Sequence, residues 1–123
     1  MHGAKNYPAT RQRSTLDIEL VDGTGDDVYL EVLQEHLPRA LREARADLVF
    51  YLAGVDVAAG DRYGRLALSD AGVRARERYV LDTVSRTGLP LVITLAGGYA
   101  PSPQRTVELH AIVFEEALRA VAR

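Results

Sequence analysis

The chain has 123 residues, of which 47% are hydrophobic and 26% charged, the proportions of one globular domain with a real core and no more. A net charge of −2 gives no broad attraction for nucleic acid or an anionic membrane. With no cysteine, disulfide frameworks, thiolate zinc sites and cysteine nucleophiles are excluded, and the chain fits a reducing cytoplasm.

The opening "MHGAKNYPATRQRS" is polar and lacks the apolar core of a signal peptide, and no run is long enough to span a bilayer. A soluble, intracellular protein is expected. "TLDIELV" (15–21) alternates Leu16, Ile18 and Leu20 with Asp17 and Glu19, which reads as an edge strand with one wet face. "DGTGDD" supplies turn residues and an N-cap, and Leu30, Leu33, Leu37, Leu41 and Ala44 then recur at helical spacing. The spacing predicts a helix from Asp26 to about Arg45. Pro38 inside it removes a backbone hydrogen bond and crowds the preceding turn, so a kink or a break into two helices is expected.

"DLVFYLAG" (47–54) is continuously apolar, the pattern of a strand covered on both faces of a parallel sheet. After a loop holding Asp56 and Asp61, a second helix has Ser69 as its N-cap, Val73, Val80 and Val84 on one face, and Gly88 and Pro90 to end it. Arg74, Arg76 and Arg78, with Glu77, are expected on its solvated surface. "LPLVITLAGG" is a further strand, and Ser102 and Pro103 open a last amphipathic helix. The order βαβαβα argues for an α/β domain, helices packed on a mostly parallel sheet joined by right-handed crossovers.

Ligands of open α/β sheets bind beyond the carboxyl ends of the strands. Two loops lie there: "GVDVAAGD" with Asp56, and "AGGYAPS" with Gly97, Gly98 and Tyr99. An aspartate can ligate a metal, act as a base or cap a helix; a glycine pair lets backbone approach a ligand; a tyrosine hydroxyl can donate to a developing oxyanion. A capping Asp and a packed Tyr would leave the same pattern. His2, His36 and His110 are scattered and read as structural. "AGGYAPS" lacks the spacing of a phosphate loop, which makes nucleotide binding a weak alternative.

Taken together, "HGAKNYP", "LDIELVDGTGDDVYL", "DLVFYLAGVDVAAGDRYGRLALS" and "LAGGYAP" resemble the C-terminal portion of the histone deacetylase family, specifically its bacterial class IV-like branch, over essentially the whole chain. The resemblance implies the three-layer α/β/α arginase/deacetylase fold. It also implies that Asp56 is one of three protein ligands of a catalytic zinc, that Tyr99 helps polarise the acyl carbonyl, that Gly97 and Gly98 shape the channel for an acyl-lysine or other N-acyl amine, and that Asp61 supports the loop. A hard anionic ligand would explain why position 56 is Asp rather than Asn or Ser.

The family's paired histidines and its Asp-x-His segment have no counterpart in these residues. The resemblance therefore implies a C-terminal piece of a longer domain, inactive alone even with zinc. Strands missing between residues 15–21 and the two apolar strands would leave bare edges and apolar faces, so poor solubility, self-association or a complementing N-terminal half is expected. A non-catalytic, partner-binding or oligomerising module is the alternative.

Overall fold

The computed structural model describes residues 1–6 and 12–122; Tyr7 and Pro8 of the motif "HGAKNYP" lie outside them. In chain order the elements are β1 (His2–Gly3), β2 (Glu19–Leu20), α1 (Asp26–Ala44), β3 (Val49–Gly54), α2 (Asp70–Thr87), β4 (Leu91–Ala96) and α3 (Pro103–Val121).

The strands form two parallel pairs, β1 with β2 and β3 with β4. The alternating segment 15–21 contributes only two residues to its pair, because β1 offers two before the chain turns at Ala4 and Lys5. Between β3 and β4 the register runs from Val49 opposite Leu91 to Gly54 opposite Ala96, so both strands end at one level.

Helix α2 crosses from β3 to β4 and packs against both α1 and α3. One face of the β3–β4 pair, through Val49, Tyr51 and Leu91, joins the helices' core of Leu33, Val73, Val80, Val84, Leu109 and Ile112. On the opposite face Phe50 and Leu52 remain 61% and 66% exposed. This open face is where a three-layer arrangement would place its second helical layer.

The expected caps are in place. The Ser69 hydroxyl accepts the Gly72 N–H, the Ser102 hydroxyl accepts that of Arg105, and Gly88 ends α2 in the left-handed conformation with its N–H on the Ser85 carbonyl. Helix α1 departs from expectation twice. Its N-cap, Gly25, makes no side-chain bond, while the Asp26 carboxylate accepts the Ser69 backbone N–H at 2.8 Å and its hydroxyl at 2.5 Å, tying together the starts of α1 and α2. Pro38 does not split it: the 19-residue helix runs through the proline, and the Gln34 carbonyl that Pro38 leaves without a helical donor is 3.4 Å from the Tyr79 hydroxyl.

A second correction concerns α2. Arg74 and Arg78 are solvent-facing as expected, but Arg76 and Glu77 are only 4% and 1% exposed. They lie between Val73 and Val80 on the apolar stripe, and that spacing turns them inward. Arg76 donates to the Gly54 carbonyl at 2.7 Å and pairs with Glu77, whose other carboxylate oxygen accepts the Tyr51 hydroxyl at 2.5 Å. Burial pushes the Tyr51 phenol well above its usual range, so it stays protonated and donates.

Candidate functional site

The parallel register brings the loops after β3 and β4 side by side. Val55 continues the ladder by donating to the Ala96 carbonyl at 3.2 Å, and Asp56 follows at the point where the strands end. The Asp56 side chain is half-buried against the second loop. A Cβ at Gly97 would stand 3.0 Å from the Asp56 Cγ, and one at Gly98 only 2.5 Å from a Val55 methyl. Both glycines have positive φ, 56° and 109°. Close approach and backbone conformation together require glycine here.

Asp61 joins the loops. Its Oδ1 accepts the N–H groups of Tyr63 at 2.9 Å and Gly64 at 2.7 Å, and its Oδ2 accepts the N–H of Tyr99 at 2.6 Å. The Arg62 N–H returns a bond to the Tyr99 carbonyl at 3.1 Å. The Tyr99 ring, 57% exposed, meets Tyr63 edge-on with centroids 4.8 Å apart. Tyr99 is therefore an exposed residue on a backbone anchored to the loop that carries Asp56.

Burial raises the Asp56 carboxyl above its ordinary value, the nearby Asp61 charge adds to the rise, and Arg76 opposes it. A half-buried carboxylate short of counter-charge is chemically suited to a cation. It is nevertheless only one ligand: among the described residues no three His, Asp or Glu side chains converge on a point that could hold a metal. These residues do not by themselves fit a catalytic zinc, which needs three protein ligands.

The structure thus brings together Asp56, Asp61, Gly97, Gly98 and Tyr99. It leaves the histidines apart from any metal cluster. His36 bonds the Val32 carbonyl at 2.9 Å, and His110 Nε2 bonds the Gly97 carbonyl at 3.1 Å, holding the glycine loop from α3. Sequence reasoning missed that support, along with Tyr63 and Arg76. Only Arg76 left a signal, its place on the apolar stripe of α2.

Comparison with known proteins gives the same direction. The family model "Histone deacetylase domain" matches residues 1–114. An uncharacterised protein of Picosynechococcus is 43% identical over 95% of this chain and 39% of its own length. Histone deacetylase 2 of Arabidopsis thaliana is 36% identical over 87% of this chain and 28% of its own. The chain thus spans well under half of these relatives. The crystal structure of an acetylpolyamine aminohydrolase from Burkholderia pseudomallei is alike over 82% of this chain and 28% of that one, with a TM-score of 0.63 at 22% identity. That likeness is one of fold, and it places the α/β arrangement within the arginase/deacetylase fold. No helix among the described residues is long and apolar enough to cross a membrane.

Proposed function

The chain belongs to the histone deacetylase family, and from that premise we propose that it is the C-terminal segment of a zinc-dependent deacylase acting on acyl-lysine or a related N-acyl amine in a reducing cytoplasm. The observation that carries this reading is the anchoring of Tyr99 to the Asp56 loop through Asp61, with Gly97 packed on the Asp56 carboxylate. Asp56 would supply one oxygen ligand to the metal, and the others would come from residues outside this chain. Tyr99 points its hydroxyl at the carbonyl oxygen of the bound acyl group and donates as negative charge develops there, an effect typically worth about 10² to 10³ in rate. Gly97 and Gly98 keep the channel wall free of side chains, and Asp61 fixes the Tyr99 backbone.

Alone, the chain hydrolyses nothing, because one carboxylate does not retain zinc. The open apolar face at Phe50, Leu52 and Val92 favours a second reading, in which the chain assembles with a partner or itself without catalysis. The mass of the native polypeptide, captured with an antibody against this chain, separates the two. A product much heavier than 13.5 kDa that hydrolyses an acetyl-lysine amide, and loses that activity on Asp56→Ala, supports the deacylase. A product at 13.5 kDa with no complementing subunit and no activity overturns it.

A further inference from the structure

The peptide group between Gly54 and Val55 is the last rung of β3 before Asp56, and it is held at both ends. Its N–H, on Val55, donates to the Ala96 carbonyl at 3.2 Å. The carbonyl of a trans peptide points the opposite way, and the Gly54 oxygen accepts an N–H of the Arg76 guanidinium at 2.7 Å. Gly54 in turn lies against the carboxylate: a Cβ there would stand 3.1 Å from Asp56 Oδ1. Gly97 closes on the Asp56 Cγ from the second loop. Backbone thus locates the Asp56 side chain on two sides, and Arg76 fixes one of them.

Arg76 is itself braced. It pairs with one Glu77 oxygen, and the other accepts the Tyr51 hydroxyl at 2.5 Å, so the run of contacts starts and ends on β3. Enclosing two charges costs about as much as their attraction returns, and apolar side chains of the same volume serve stability equally well. The Arg76 Nε–H is buried with no partner among the described residues, which lowers the return further. Val73 and Val80 are apolar neighbours on the same stripe of α2. What an apolar side chain cannot supply is a rigid donor aimed at one carbonyl, and a guanidinium held by a carboxylate supplies that. The buried pair therefore needs a reason beyond stability, and its backbone contact, at Gly54, lies just before Asp56.

We propose that Arg76, braced by Glu77 and Tyr51, is a positioning residue for Asp56: it pins the last peptide of β3 and so sets where the carboxylate stands beside Gly97 and the Tyr99 loop. Arg76 touches no substrate and takes no part in bond making. The inference rests on reading Asp56 as part of a deacylase site, and it extends that site to α2, an element outside the two loops. Without Arg76 the Gly54 carbonyl is free to turn. The turn that follows, closed by the Ala58 N–H on the Val55 carbonyl at 3.1 Å, then loosens, and Asp56 samples several positions instead of one.

Arg76→Met combined with Glu77→Gln separates position from stability, because it removes both charges and leaves neither uncompensated. In the 123-residue chain, the Val55 and Ala58 amides, which bracket Asp56, are expected to exchange hydrogen about tenfold faster relative to the Ile112 amide of α3, which reports global opening. In the chain joined to the remainder of the Picosynechococcus relative, kcat for an acetyl-lysine amide is expected to fall by about tenfold or more with KM within about twofold, the mark of a misplaced group rather than weaker substrate binding. Arg76→Lys keeps Glu77 paired and serves if the double variant does not fold; the same selective exchange and a smaller fall in kcat are expected. Exchange at Val55 and Ala58 that changes only in step with Ile112, or an unchanged kcat in an active completed protein, would overturn the positioning role. Selective exchange at these two amides, together with a completed unmutated protein that hydrolyses no N-acyl amine, would leave the bracing of Asp56 standing and overturn the deacylase reading.

Discussion

Asp61→Asn is the sharpest perturbation of the candidate site, because it removes one oxygen acceptor, and with it the charge that helps raise the Asp56 carboxyl, while keeping the shape of the side chain. The retained carbonyl oxygen can still accept the Tyr63 and Gly64 N–H groups, as Oδ1 does now. The new amide nitrogen then stands where Oδ2 accepts the Tyr99 N–H at 2.6 Å, setting donor against donor. A hydrogen bond to a charged acceptor contributes about 1.5–3 kcal/mol. Because Tyr99 is exposed and water can replace the lost acceptor, a cost of about 1–2 kcal/mol is expected. Urea unfolding would show this as a lower midpoint with unchanged slope, and the Tyr99 amide proton would move upfield on losing a short bond. In an assembled, active protein a displaced Tyr99 would also lower turnover, since misplacement by about 1 Å can cost roughly 10²-fold. Unchanged stability together with an unmoved Tyr99 amide resonance would refute the claim that Asp61 holds the two loops together.

Glu116 accepts from Arg74, Arg78 and Arg119, and these bonds, that of Arg78 foremost, hold its carboxyl down at about 2. The folded value lies below the unfolded one, so the stabilisation is complete above about 4.5 and is lost as pH falls towards about 2. With solvent screening at the arginines, Glu116→Gln is expected to cost about 1–2 kcal/mol at neutral pH and to flatten the stability profile in that acid window, measured by melts across pH. Gly98→Ala, at φ 109° and pressed on Val55, should cost about 1–3 kcal/mol in urea unfolding; a neutral result would mean the loop can shift. Arg76→Met should cost about 3–5 kcal/mol by leaving Glu77 buried and uncompensated, and adding Glu77→Gln should recover much of that loss in a double-mutant cycle.

The helices and the two long strands were legible because their signals are local. Ser69, Ser102 and Gly88 cap where their chemistry says they should, and the apolar runs reappear as β3 and β4. Asp56 and Tyr99 could be placed at one edge because parallel strands joined by a helix end together. What remained hidden depends on tertiary partners. Charged residues on a helix ordinarily face water, and Arg76 and Glu77 are buried only because the Gly54 carbonyl and the Tyr51 hydroxyl receive them. Pro38 reads as a kink or a break because nothing local names Tyr79 as a donor for the stranded carbonyl. The bond from Tyr99 to Asp61 spans 38 residues and uses a backbone N–H that every non-proline residue has, so no residue type marked it.

The most direct test of the central claim is zinc-dependent hydrolysis of an acetyl-lysine amide, measured for the 123-residue chain alone and for the chain joined to the remainder of the Picosynechococcus relative. The expected result is no turnover by the chain alone, turnover by the completed protein, and its loss on Asp56→Ala or a fall of about 10² to 10³ on Tyr99→Phe. Turnover by the isolated chain, or a completed protein whose activity is indifferent to both substitutions, would contradict it.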